Sequence, residues 1–378
     1  MNLLCAIRSR YPFKALVLVL FTTTGCAVSV ERTRVPPVVN ETGTQSNDEI
    51  KTQPSTNDSG ETKKPDIPVT EAPVESEKGT TWTRAGVIQT GRLREASGMA
   101  FSGNEPQVIW LVNDSGNAPE LFAISTTGQS LATIKLNIRN RDWEDLSQFN
   151  FNGESFLLIT DTGDNLRNQP TYKLHIVAEP VLGTRTEANT SELVSPLLSF
   201  DLILPDGSHN TEAAAVASDG YLYLITKADE PNVYRAPLVQ VFNNWLNNSG
   251  STASGDSEST LPLQGEYVGK YQRPALSASL TLIKTLTGVD LGSVTALDFD
   301  NNSGEAWVLT YRSLYRLPPA ASNLWQDVLT GLPERTAGHN LTQAEAMAFS
   351  PNEQHVYITS EGASPPLLKL ESTDTVAQ

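Results

Sequence analysis

From Trp82 onward the chain alternates short apolar runs, rich in Val, Ile, Leu, Tyr, Trp and Phe, with clusters of Gly, Asn, Asp and Pro. That alternation marks strands joined by turns. It has a longer period as well, a two-part unit that recurs five times. The first part is Ser97-Gly98-Met99-Ala100-Phe101, then Glu144-Asp145-Leu146-Ser147-Gln148, Glu212-Ala213-Ala214-Ala215-Val216, Thr295-Ala296-Leu297-Asp298-Phe299 and Glu345-Ala346-Met347-Ala348-Phe349. Fourteen to sixteen residues after each first position, an apolar run ends in a small polar residue: Asn113, Thr160, Thr226, Thr310 and Thr359. One such unit cannot bury its apolar faces alone, so the repeats must stack on one another. The pattern predicts an all-β chain folded as a β-propeller of five four-stranded blades, or six if the longer repeats hide another.

Each repeat supplies an inner strand, a second strand (Val108–Val112, Phe156–Thr160, Tyr221–Thr226, Ala306–Thr310, His355–Thr359) and a third (Leu121–Ser125, Tyr172–Val177, Asn232–Ala236, Ser313–Leu317, Leu367–Leu370). The expected outer strands are Ala132–Ile138, Leu197–Leu204, Leu280–Thr287 and Asp327–Leu332. The fifth repeat stops near Glu371, so its outer strand is expected from Arg84–Thr90 at the start of the domain. Closure of that kind removes exposed sheet edges. No stretch shows an amphipathic helical repeat of useful length. Successive first positions lie 47, 68, 83 and 50 residues apart, which puts insertions in the second and third blades. The low-complexity stretch Asn243–Thr260 reads as an exposed loop within the propeller.

Ahead of the domain, residues 1–25 carry Arg8, Arg10 and Lys14, the apolar stretch Ala15–Phe21, and Thr-Thr-Thr-Gly before Cys26. A basic flank, a short apolar region and small residues make a secretory signal. The apolar stretch is far below the ~20 residues that span a bilayer. Residues 26–80 are rich in Thr, Glu, Pro, Ser, Asn and Lys without hydrophobic periodicity, the composition of a disordered tether. The propeller is then expected over 81–372, with a disordered tail at 373–378. Cys5 falls in the discarded segment, so the mature chain keeps one cysteine and no internal disulfide. Loss of three basic and no acidic residues moves the net charge from −16 to −19. So acidic a chain is unsuited to nucleic acid or to anionic lipid through a basic face; its charge suits divalent cations, and equally plain surface solubility. A monomer is expected.

Inner strands line a propeller's channel, which brings Ser97, Glu144, Glu212, Thr295 and Glu345 around one axis, with Glu95 upstream of the first. Carboxylates and hydroxyls in a ring are the hard-oxygen set that Ca²⁺ prefers. Without a cation or a shared proton they raise one another's pKa. The bland reading of the same residues is that each oxygen accepts backbone N–H groups or channel water. A second cluster follows the second strands, in Asn113-Asp114-Ser115-Gly116-Asn117, Asp142-Trp143 and Asp161-Thr162-Gly163-Asp164-Asn165. Asp114, Asn117, Asp142, Trp143, Asp161, Asp164 and Asn165 are thus candidate ligand-face residues, although Asp-x-Gly-x-Asn is also ordinary turn chemistry and Trp143 suits packing between blades. The chain lacks G-x-S-x-G, P-loop, G-x-G-x-x-G and H-E-x-x-H motifs, and its histidines (His175, His209, His339, His355) have no metal spacing.

The short TTTG-C segment resembles the lipobox of bacterial lipoproteins, which implies that Cys26 becomes a lipid-modified N-terminus. With Ala27 following it, the resemblance implies sorting to an outer membrane where the host has one. The motifs Asn113-Asp114-Ser115-Gly116-Asn117, Asp142-Trp143-Glu144-Asp145 and Asp161-x-Gly163-Asp164-Asn165 resemble a group of bacterial exported propeller proteins, over residues 93 to 180. The Glu-started blades are similar, more loosely, to calcium-activated nucleotidases, five-bladed propellers with an axial Ca²⁺. Together these imply an envelope-anchored, extracytoplasmic propeller that binds a protein or small-molecule ligand, with Ca²⁺ in the channel. The alternative expectation is a Ca²⁺-dependent phosphohydrolase, nucleotidase-like or phytase-like. No catalytic residue is assigned.

Overall fold

The computed structural model describes residues 80–183, 193–249 and 262–372. The expected signal segment, Cys26, the tether before Thr80, positions 250–260 of the low-complexity stretch and the 373–378 tail lie outside the described residues. The chain divides into two units, Met1–Ile67, which also lies outside them, and Pro68–Gln378, which holds every element below.

The domain opens with β1 (Thr80–Val87). The first blade comprises β2 (Ala96–Phe101), β3 (Val108–Asn113), β4 (Glu120–Ser125) and β5 (Ser130–Leu136). The second comprises β6 (Trp143–Phe151), β7 (Glu154–Asp161), β8 (Tyr172–Ala178) and β10 (Leu198–Ile203). Two-residue strands, β9 (Leu193–Val194) and β14 (Leu263–Gln264), add parallel edges to the outer strands β5 and β10. The third blade is β11 (Thr211–Val216), β12 (Leu222–Thr226), β13 (Asn232–Ala236) and β15 (Glu266–Lys270). The fourth is β16 (Val294–Asp300), β17 (Glu305–Thr310), β18 (Ser313–Leu317) and β19 (Glu334–Gly338). The fifth is β20 (Ala344–Ser350), β21 (His355–Ser360) and β22 (Pro366–Ser372), completed by β1, which pairs antiparallel with β22 and sets Trp82 opposite Leu370. Five blades and their closure are therefore as the repeat predicts.

Inner strands neighbour one another in the cycle β2, β6, β11, β16, β20 and back to β2. Each interface between neighbouring blades holds its own apolar cluster. A blade is thus covered on both faces, which explains why β3 (VIWLVN) is buried at every position and shows no polar alternation. Among the turns, the β6–β7 hairpin uses Asn152-Gly153 with φ of 52° and 79°. Both values are positive, as a two-residue type I′ turn requires.

Three expectations about secondary structure are corrected. Leu280–Thr287 is not a strand but most of α2 (Ala278–Thr287), and the third blade takes its outer strand from β15 instead. Its β-branched residues read as strand, but the caps decide otherwise: Ser277 Oγ accepts from Leu280 N–H, and Gly288, at φ 75°, donates its N–H to the Lys284 carbonyl. Asp327–Leu332 starts within the short α3 (Trp325–Leu329), with β19 as the outer strand. The low-complexity stretch begins inside α1 (Leu238–Ser249), an amphipathic helix missed from sequence. Leu238 and Phe242 are buried against the second and third blades, and Trp245 and Leu246 pack beside them at helical spacing.

Candidate functional site

All five inner strands carry a β-bulge at the same place. The register against the second strand slips between Ala96 and Gly98, Trp143 and Asp145, Thr211 and Ala213, Val294 and Ala296, and Ala344 and Ala346. The five extra residues are Ser97, Glu144, Glu212, Thr295 and Glu345, the first positions of the repeat. A bulge leaves its residue outside the ladder and re-aims the side chain, a device concentrated at functional rims. The five side chains thus occupy equivalent positions at one mouth of the channel, where each inner strand begins and each second strand ends.

Loops after the second strands add a tier. Asn140 Nδ2 donates to the carbonyls of Asn113 (2.9 Å) and Asp114 (2.8 Å), which ties the first blade's loop to the approach of the second. Asp114, Asp142 and Glu144 then present carboxylate oxygens within 4.8 Å of one another. Asp114 also shares that span with Glu345 and Glu361. Gly163 makes the approach feasible, because a Cβ there would lie 2.2 Å from Glu144 Oε1 and 2.3 Å from Asp142 Cγ.

The opposite side of the mouth has an internal cation. Lys227, the residue after β12, donates from Nζ to Glu212 Oε2 and to the Tyr311 hydroxyl, both at 2.8 Å. Tyr311 in turn donates to Glu345 Oε1 at 2.6 Å, and Asn210 Nδ2 donates to Glu212 Oε1 at 2.6 Å. Burial works against the Lys227 ammonium, but Glu212, Tyr311 and Glu345 hold its pKa above the ordinary value. Lys227 is therefore protonated and is not a nucleophile at neutral pH.

The unneutralised side behaves differently. Burial, with Asp142, Glu345 and Glu212 adding repulsion, pushes the Asp114 carboxyl up to about 7. Burial and the charges of Glu361 and Glu212 push Glu345 up to about 8 against Lys227 and Tyr311. Glu144 is raised well above the carboxylate range by burial and by Glu212, Asp114 and Asp142, and Asp142 is raised by burial too. Such a set takes up either protons or a cation.

Below the mouth the channel is braced rather than open to exchange. Each inner strand is a sheet edge whose N–H groups face the axis and need acceptors. Asp145 Oδ2 accepts from Ala214 (2.9 Å) and Leu297 (3.3 Å), and its Oδ1 from Leu146 (2.8 Å), so one buried carboxyl links three blades. Asp298 accepts from Phe299 and Phe349, both at 2.8 Å, and Ser147 Oγ accepts from Val216 at 2.9 Å.

The remaining sequence candidates divide. Thr295 Oγ1 donates to the Ala344 carbonyl at 2.8 Å, while Ser97 Oγ, 1% exposed, has no partner among the described residues. Glu95 is exposed and accepts from Asn117 Nδ2 at 2.5 Å. Asp161 receives Arg141 Nε (3.2 Å) and the Asp142 N–H (3.0 Å), a brace beneath Asp142. Asp164 accepts the N–H groups of Asn168 and Gln169, and Asn165 Oδ1 accepts from Asn210. Trp143 is fully buried between the first two blades, a core residue set apart from the face. Sequence reasoning missed Lys227, Tyr311 and Glu361. The first two stand immediately after the recurrent Thr226 and Thr310 that end the second strands, as Asp114 stands after Asn113. That equivalence was available as a signal.

No protein-family profile and no curated protein matches the chain. The motif resemblance to exported propellers therefore stays at the level of fold. Among solved structures the chain is similar to a streptogramin B lyase, at 10% identity over 79% of this chain and 99% of that one, with a TM-score of 0.38. It is also similar to the glutaminyl cyclase of Myxococcus xanthus, at 11% identity over 77% and 95%, TM-score 0.39. The hydrazine synthase of Kuenenia stuttgartiensis matches at 9% identity over 74% and 72%, TM-score 0.36. At such scores these likenesses carry no argument about chemistry, and the five-bladed propeller rests on its own strand ladders.

Proposed function

We propose that this propeller is an exported, envelope-anchored binding module whose ligand face is the acidic mouth, organised by Ca²⁺. The observation that carries the reading is the convergence of Asp114, Asp142 and Glu144 within 4.8 Å. Carboxylate oxygens in that span suit a hard cation, whose Ca–O distances are about 2.3–2.6 Å. The raised pKa values of the same groups support it, since a bound divalent charge relieves their repulsion. Exposed Leu166 lies in the loop after β7 on this face, and α2, which carries exposed Leu282 and Leu286, is held to the loop after β12 by Lys284 and Asp229. Apolar side chains beside a charged mouth suit a protein or small-molecule ligand. Cys26 is the proposed lipid-bearing residue.

The phosphohydrolase reading is the weaker one. Arg141 is committed to Asp161, and Lys227 to Glu212 and Tyr311, so two of the basic groups beside the mouth already hold carboxylates rather than standing ready for phosphate. The test is calorimetric titration of Ca²⁺ into the EDTA-treated full chain. Saturable binding that weakens or loses an ion in Glu144→Gln supports the site, whereas heats no different from buffer dilution dismiss it.

A further inference from the structure

Resting on that cation site, we infer that the mouth holds a pair of divalent cations bridged by the Asp114 carboxylate, the second position being formed by Asp114, Glu345 and Glu361 beside Ser97. Two triads meet at Asp114: Asp114, Asp142 and Glu144 on the side of the second blade, Asp114, Glu345 and Glu361 on the side of the fifth. Each lies within 4.8 Å, but the five groups do not merge into one set within that span. Oxygens on opposite sides of one Ca²⁺ are at most about 5 Å apart, so each triad matches the span of a single ion's ligands. A carboxylate has two oxygens, and a shared one is the usual bridge where cations sit about 3.5–4 Å apart.

Charge points the same way. The five carboxylates carry five negative charges when ionised. One divalent cation offsets two of these, and a second offsets four. Lys227 cannot make up the difference, because it is paired with Glu212 and reaches Glu345 only through Tyr311.

An independent observation is the hydroxyl of Ser97. It is 1% exposed, lacks a partner among the described residues, and sits at the first blade's bulge, between the equivalent bulges of Glu144 and Glu345 in the cyclic order. A buried hydroxyl with no acceptor or donor is unfavourable unless something else engages it. Its place in the ring sets it between the two triads, where it can serve as a neutral oxygen ligand. A bridged pair with remaining open positions would take an anionic oxygen ligand, a carboxylate or phosphate oxygen spanning both ions.

The test is Mn²⁺ titration of the EDTA-treated full chain, read by equilibrium stoichiometry and electron paramagnetic resonance. Two ions per chain with an exchange-coupled spectrum are expected. Glu361→Gln should bind one ion with the spectrum of an isolated centre, Glu144→Gln should retain the other, and Asp114→Asn should lose the coupled signal. Glu345→Gln provides a second route to the same position if Glu361→Gln is misfolded by circular dichroism. One ion in the wild type, unchanged by Glu361→Gln or Glu345→Gln, overturns the pair while leaving the single-cation reading intact. No bound ion overturns both.

Discussion

Lys227 Nζ lies 2.8 Å from Glu212 Oε2 at the channel mouth, so the fold supplies one of its own positive charges to a ring of acids. Both side chains are largely buried, and removing one partner leaves the other desolvated and unpaired. Lys227→Met should therefore cost about 3 kcal/mol in denaturant unfolding of the metal-free protein. A loss below about 1 kcal/mol would mean that the pair is worth no more than an exposed one.

Stability should depend on pH in two opposed windows. Asp114 and Glu345 have folded pKa values of about 7 and 8 against ordinary values of 3.8 and 4.5, so the folded protein binds more protons than the unfolded chain between these limits. Their contribution is full below about pH 4 and is lost as pH rises through 7 to 8. Asp290, lowered to about 2 because Arg273 and Lys284 outweigh its burial, contributes above pH 4 and is lost as pH falls towards 2. Melting of the metal-free chain should peak near pH 4 to 5 and fall towards 8. A profile that keeps rising from pH 5 to 8 would contradict the raised carboxyls.

Two glycines should separate site from fold. A Cβ at Gly163 meets Glu144 and Asp142 side chains, so Gly163→Ala should displace both carboxylates and weaken Ca²⁺ binding at least about tenfold while the chain stays folded. A Cβ at Gly98 would lie 2.4 Å from the Leu146 backbone N and 2.6 Å from the Asp145 carbonyl carbon. Gly98→Ala should wedge β2 from β6 and cost about 3 kcal/mol or more in stability. Equal effects of the two on melting temperature would refute the distinction.

Asp145 is the brace most sensitive to truncation. Asp145→Ala leaves three backbone N–H groups without the buried carboxyl that accepts from them, at a cost of about 3 kcal/mol or more. Asp145→Asn keeps an oxygen acceptor and should recover part of that loss. Comparable stability for Asp145→Ala and wild type would show that water reaches those N–H groups.

Much of this site was legible because repetition does the work of an alignment. Glu144, Glu212 and Glu345 are visible as first positions since the bulge that aims them recurs in every blade. Asp161 and Asp164 look equally acidic in sequence, yet one braces the Asp142 backbone and the other caps its own loop. Local sequence does not distinguish an acid that faces backbone from one that faces a ligand. Lys227 and Tyr311 escaped notice because their importance lies in partners on other blades.

What the sequence determined by itself was the blade: its period, its buried strands, its closure by the N-terminal strand and the residue type at each bulge. These follow from local patterning, since apolar runs must be covered on both faces and a repeat can be covered only by its neighbours. Tertiary structure alone decided which acids meet. Asp114, Asp142 and Glu144 converge from the first two blades, and Glu345 and Glu361 join Asp114 from the fifth, over 200 residues away in the chain. It also decided α1, whose Leu238 and Phe242 are buried against the second and third blades, whereas α2 is set locally by its caps at Ser277 and Gly288. Separations in a ring depend on how the blades pack around the axis, and no single repeat encodes that packing.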